Sequence, residues 1–165
     1  MHKYIHYILA PLFYLIVARI GSLFTSQGVT SWYPTIAKPS YTPPGSFIGI
    51  MWTLIYIFSA ISCIFFVNKA RERSIFWPII GLYILNGVVN ASWSYIFFVK
   101  HELGLAVISA FLIWITVGML IVSIWRISRT ASLLLFPYLG WVSFATYLTY
   151  VIFQLNWFPD WGLFF

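Results

Sequence analysis

Asn86 and Asn90 stand one helical turn apart in a stretch, residues 74–99, that carries no charged side chain, and Tyr83, Trp93 and Phe97 fall on the same helical period. A second stripe runs through Trp52, Tyr56, Ser59 and Cys63, and a third through Trp141, Ala145 and Leu148, with Phe144 beside it. Indoles, phenols and amides arranged in this way can stack and hydrogen-bond, and they suit a flat, mostly apolar ligand with a polar edge. The same spacing also suits packing, because amides join helices in membrane bundles and aromatic stripes fill cores. The two uses are compatible for Asn86 and Asn90.

Other chemistries are poorly provided for. The interiors of the apolar stretches hold no Asp, Glu, Lys or His, and the three carboxylates, Glu72, Glu102 and Asp160, sit at or beyond their ends, so no pair can flank a buried substrate. His2 and His6 have the i, i+4 spacing of a helical metal pair, but no third ligand accompanies them; they read as an interfacial pair, with no metal expected. Cys63 is the only cysteine, so an intramolecular disulfide is impossible. The loop WYPTIAKPSYTPPG, residues 32–45, is different in kind: four prolines and a closing glycine surround Trp32, Tyr33, Tyr41 and Lys38. Prolines stiffen such a loop before anything binds, which suits a lid presenting ring faces and one cation.

The elements that must position these residues are membrane spans. Of the 165 residues 62% are hydrophobic and only 7% charged, against roughly 25% charged in soluble domains. Charge-free runs at 39–68, 74–99, 103–125 and 130–159 each reach the roughly 20 residues needed to cross a bilayer, and a fifth run begins at residue 4 and continues past Arg19. None alternates with period two, so the expected class is all-α: an integral membrane bundle of five transmembrane helices in one domain, 1–165. The spans are expected at about 4–24, 46–67, 76–98, 103–125 and 132–155, with the lid-like loop at 25–45. Lys3 ahead of an apolar run has the look of a signal peptide, but no small-residue cleavage site follows, so the first span is expected to be retained. The net charge of +6 lies at span ends, where lipid headgroups and topology account for it; nucleic acid is not an expected partner, whereas the lipid bilayer is. Gly87 with Ala91, and Ala106 with Ala110, have the spacing of close helix approach, inside the bundle or in a homodimer. No internal repeat is evident, and the absence of buried carboxylates disfavours a pump.

On these residues the chain resembles the family of bacterial tryptophan-rich sensory proteins, TspO, and mitochondrial translocator proteins, also known as peripheral-type benzodiazepine receptors. The loop pattern of WY, KP and PP stands as Trp32, Tyr33, Lys38, Pro39, Pro43 and Pro44; the second-span pattern as Gly49, Trp52 and Tyr56; the third-span pattern as Asn90, Trp93, Ile96, Phe97 and Phe98; and the fifth-span pattern as Pro137, Tyr138, Leu139, Trp141, Phe144, Ala145 and Leu148. The resemblance implies a five-helix bundle, commonly dimeric, with an internal pocket capped by the first loop. It implies ligands such as protoporphyrin and related tetrapyrroles, isoquinoline carboxamides and benzodiazepines, with no required cofactor. It also implies ligand contacts from Trp32, Tyr33, Lys38, Pro44, Trp52, Tyr56, Asn86, Asn90, Trp93, Phe97, Trp141, Phe144, Ala145 and Leu148. Some bacterial members are reported to promote light-dependent breakdown of protoporphyrin, and by motif that catalytic role would fall to Trp52 and Trp141. Transport of porphyrin or sterol is a further alternative.

The chain also departs from the family. Tyr150 is followed by VIFQLN, without the basic residue of the sterol-recognition pattern of eukaryotic members. Thr149 stands where the family usually has Asn, Phe153 where bacterial members often have Trp, and Tyr41 where the loop often has Trp.

Sidedness follows from the basic residues. Lys3, Lys69, Arg71, Arg73, Arg126 and Arg129 share the N-terminal side, against Lys38 and Lys100 on the other, joined by Arg19 if it snorkels. In a bacterial cell membrane this places the N-terminus in the cytoplasm and the C-terminus, with Trp157 and Trp161 as interfacial aromatics, outside. Reporter fusions at the two ends should show a C-terminal reporter active only outside the cytoplasm; cytoplasmic activity there would overturn the orientation.

Overall fold

The computed structural model describes residues 4–157. His2, Lys3, Asp160 and Trp161 lie outside the described residues. The chain forms α1 His6–Gly28, α2 Gly45–Ala70, α3 Phe76–Phe98, α4 Leu103–Trp125, a short α5 Arg129–Leu133 and α6 Phe136–Trp157, with one 3-10 turn, Tyr33–Thr35, between α1 and α2. The described residues contain no strand. Five segments, of 23, 26, 23, 23 and, for α5 and α6 together, 29 residues, are long and apolar enough to cross a membrane. Their outward faces carry Ile8, Leu15, Ile57, Ile108 and Val122, as hydrocarbon requires.

The last span differs from the continuous helix expected at 132–155. It breaks between Leu133 and Phe136 because Pro137, the second residue of α6, has no N–H to give the Leu133 carbonyl. Ser128 caps the short α5, accepting the Ala131 N–H at 3.3 Å. α1 runs to Gly28, beyond its expected end, which shortens the loop to 29–44.

The helices form a ring. α1 packs on α2 and α3, α3 on α4, and α4 on α6, while α2 closes the circuit chiefly through α5. At the end of the bundle where α1 begins, polar side chains seal the joints. Tyr83 donates to Ser62 at 2.7 Å, Ser62 donates to the Ala131 carbonyl at 2.6 Å, and Ser132 donates to the Ile121 carbonyl at 2.8 Å. His6 belongs to this stitching: its Nε2 donates to Asn68 at 2.7 Å, Arg71 donates to its Nδ1 at 3.0 Å, and Asn68 donates to Tyr7 at 2.9 Å. With both ring nitrogens engaged, His6 joins α1 to α2.

The small residues also work internally. A Cβ on Gly87 would lie 2.6 Å from the Phe13 ring, and Ala106 and Ala110 are buried. Gly28 is tighter still, because a Cβ there would fall inside contact distance of the Phe98 carbonyl oxygen, so the end of α1 lies directly on the backbone of α3. Gly28→Ala should therefore cost about 1–3 kcal/mol by overpacking, read as a lowered melting temperature of the detergent-purified protein. Gly45→Ala, where a Cβ meets nothing within 4 Å, is the neutral control. Equal melting of Gly28→Ala and wild type would refute the close approach.

Candidate functional site

The ring encloses a cavity of about 480 Å³, within the roughly 300–1,000 Å³ usual for small-molecule sites. α2 presents Trp52 and Tyr56, their rings stacked at 5.8 Å. α3 presents Trp93 and Phe97, stacked at 5.0 Å, and α6 presents Trp141 and Phe144 at 5.6 Å. The helical period of each stripe puts these rings on the inner faces. Ala145 and Leu148 complete the α6 wall, and Ala110 and Ile113 of α4 lie behind.

A chain of hydrogen bonds crosses the floor of this cavity. Tyr56 donates to Asn90 Oδ1 at 2.8 Å, Asn90 donates to Tyr138 at 2.9 Å, Tyr138 donates to Asn86 Oδ1 at 3.0 Å, and Asn86 donates to Thr116 at 2.8 Å. Thr116 ends the relay on the Leu112 carbonyl at 2.8 Å. The path runs from α2 to α3, across to α6, back to α3 and on to α4. Asn90 and Tyr56 also line the cavity; Asn86 does not, being buried among α3, α4 and Tyr138. Among the described residues three buried side-chain polar atoms lack a partner: the Nε1–H groups of Trp93 and Trp141, both residues of the lining, and Ser59 Oγ, which lies outside it.

The loop closes one end, but with fewer residues than its sequence suggested. Tyr33 reaches the cavity, packed on Phe97 and Phe98, and its burial pushes the phenol above its ordinary range, so it stays a neutral hydroxyl. Trp32 instead stacks on His101 at 4.1 Å, over the turn after α3. Lys38 does not face the cavity: its ammonium donates to the Tyr33 and Ile36 carbonyls at 2.6 and 2.7 Å and lies 4.7 Å from the Tyr33 ring centre. Pro44 precedes the first residue of α2 as its N-cap, and Tyr41 stacks on Tyr147 of α6. A clamp not foreseen from the sequence holds the loop to α6, since Asn156 accepts from the Ala37 N–H at 3.0 Å and donates to the Ala37 carbonyl at 2.9 Å.

Of the fourteen residues implied by the resemblance, the cavity gathers Tyr33, Trp52, Tyr56, Asn90, Trp93, Phe97, Trp141, Phe144, Ala145 and Leu148. Trp32, Lys38, Pro44 and Asn86 surround it without lining it. The reading missed the α1 wall, Ala18, Gly21, Ser22, Thr25 and Val29, whose i, i+3, i+4, i+7, i+11 recurrence was the available signal.

Residues 8–155 match the TspO/MBR family, a span that covers all five membrane segments and the loop. The chain belongs to this family. A tryptophan-rich protein TspO of Bacillus cereus is 36% identical over 127 residues, covering 76% of this chain and 81% of its own. A protein of the same name from Archaeoglobus fulgidus is 36% identical over 147 residues, covering 86% and 91%. The human translocator protein is 29% identical over 140 residues, covering 83% and 82%. The chain is thus a multi-pass integral membrane protein with the TspO/MBR helix bundle around its cavity.

The relay and the lining give its two asparagines different expected phenotypes. Asn86→Ala should lower the melting temperature, by leaving Tyr138 and Thr116 short of partners at about 1–3 kcal/mol, while the affinity for a cavity ligand, probed with protoporphyrin, holds. Asn90→Ala should lower both. Thermal unfolding and visible titration of the two variants test this; equal losses of affinity would place Asn86 in the site after all.

Proposed function

We propose that this chain binds a protoporphyrin-type tetrapyrrole in the cavity between its helices and acts as a membrane sensor for it, in a bacterial cell membrane with the N-terminus cytoplasmic. The observation that carries this reading is the lining: seven aromatic rings from three helices, with Tyr33 of the loop, around about 480 Å³, and two indole N–H donors unpaired. Flat macrocycles stack on such rings, and an edge acceptor on the ligand would satisfy donors that are costly to leave buried alone. The same lining would accept isoquinoline carboxamides and benzodiazepines. The functional unit in this reading is a homodimer meeting through outward apolar faces, since the small residues are used inside the chain. A visible-absorbance titration of purified protein should saturate with a shifted porphyrin band; no shift would refute the reading.

One observation favours a second reading, a light- and oxygen-dependent enzyme acting on the bound porphyrin: Trp52 and Trp141 both line the cavity. Indole is far more easily oxidised than benzene, whereas phenylalanine keeps the flat apolar face. Replacing both by Phe should reduce affinity by about 1 kcal/mol and slow the bleaching of bound protoporphyrin markedly. The bleaching rate under fixed illumination, with dark and oxygen-free controls, measures it. Equal rates in wild type and double variant would leave a binder whose ligand bleaches unaided.

A further inference from the structure

Three hydroxyls on the α1 side of the cavity are not accounted for by packing or by the relay. Ser22, exposed at the rim, and Thr25, partly buried, belong to the α1 wall, and across from them Ser94 of α3, 8% exposed, places its Oγ 3.4 Å from where a Cβ on Gly21 would sit. Hydroxyls on membrane helices commonly donate to the carbonyl four residues back. Thr53, Ser92 and Thr149 do so here, at 2.8, 2.9 and 2.8 Å. Ser22, Thr25 and Ser94 make no side-chain hydrogen bond among the described residues. Gly21, lacking a side chain, leaves the space beside Ser94 open.

The charge of the lining is as informative. No residue that lines the cavity is acidic or basic, and the nearest loop cation, Lys38, is tied to two carbonyls. The wall across α3 and α6 offers indole N–H groups, which only donate, while the hydroxyl corner both donates and accepts. A carboxylate drawn in as far as Ser94 would lose its water and meet no charged lining residue; Arg19, one turn before Ser22, is exposed on α1 and does not line the cavity. An uncharged carbonyl, ester, hydroxyl or pyrrole N–H would lose little and gain a partner.

We propose that Ser22, Thr25 and Ser94 form a second polar subsite of the cavity, which receives an uncharged hydrogen-bonding group of the ligand and makes the site selective for uncharged over carboxylate substituents. This rests on the cavity being the ligand site, and it adds the chemistry that site selects. On this account the propionates of a free porphyrin stay at the mouth, and esterified or otherwise uncharged macrocycles enter fully.

The test compares protoporphyrin IX with its dimethyl ester, using the full chain in lipid nanodiscs. The ester should bind more tightly than the acid. Ser94→Ala, alone and combined with Thr25→Val, should weaken ester binding by about threefold to tenfold, the worth of one or two hydrogen bonds. The melting temperature without ligand should not change, because these hydroxyls bond nothing in the protein. An ester bound no more tightly than the acid would overturn the selectivity, and variants binding the ester like wild type would overturn the subsite, in either case leaving the binding function standing. Failure of wild type to bind either porphyrin would remove both readings. If Thr25→Val alters folding, Ser94→Ala by itself decides the subsite.

Discussion

The relay from Tyr56 through Asn90, Tyr138 and Asn86 to Thr116 is the constraint on which the rest of the structure depends. In hydrocarbon a polar side chain has no water to fall back on, so each must be satisfied within the protein. Here every link donates in the same direction, from α2 across α3 and α6 to α4, and ends on a backbone carbonyl. Bonds in series with one direction polarise one another. The relay therefore fixes four helices relative to each other with very few residues and engages both amides, although Asn90, which lines the cavity, keeps a second N–H. Indole N–H groups and three hydroxyls add to it, so the lining is polar at points and holds no charged residue.

The cavity exists because helix contact is concentrated elsewhere. α1 meets α3 closely through Gly28 and Gly87, and the His6, Asn68 and Ser62 joints draw the other end together, so space opens where α2 faces α6 and aromatic rings meet without interlocking. The loop is held over that space from both sides, by Trp32 on His101 and by Asn156 on Ala37. Its prolines reduce the freedom lost in being held.

Much of this was legible in the sequence, for identifiable reasons. Charge-free runs marked four of the five segments, and an apolar run interrupted only by Arg19 marked the first, because burying a charge in lipid is costly enough to leave a plain gap in the pattern. The helical period placed Trp52, Asn90, Trp93 and Trp141 on inner faces. What the period could not give was which partner each amide would take: Asn86 and Asn90 share a stripe, yet one faces Thr116 and the other the cavity. Nor could the sequence show that Lys38, the one cation of the loop, would be held by two loop carbonyls instead of facing the cavity. Pro137 stood inside the expected last span, and its missing N–H was the available signal of a break that the unbroken apolar run concealed. Small and hydroxyl residues on α1 carry little hydropathy signal, so that wall stayed hidden, and the Asn156 clamp spans 119 residues, beyond any local pattern.

The central claim is that ligand sits inside the ring of helices and not on its lipid-facing surface. Ala145 lines the cavity and takes no part in the relay, so Ala145→Trp fills the space with an indole while leaving the helix joints intact. The decisive measurement is the porphyrin absorbance band of this variant against wild type at saturating protoporphyrin, with the melting temperature of each recorded alongside. The account predicts that the shifted band is lost in a variant that still folds. A full band in the filled variant would put the ligand outside the bundle and contradict the account.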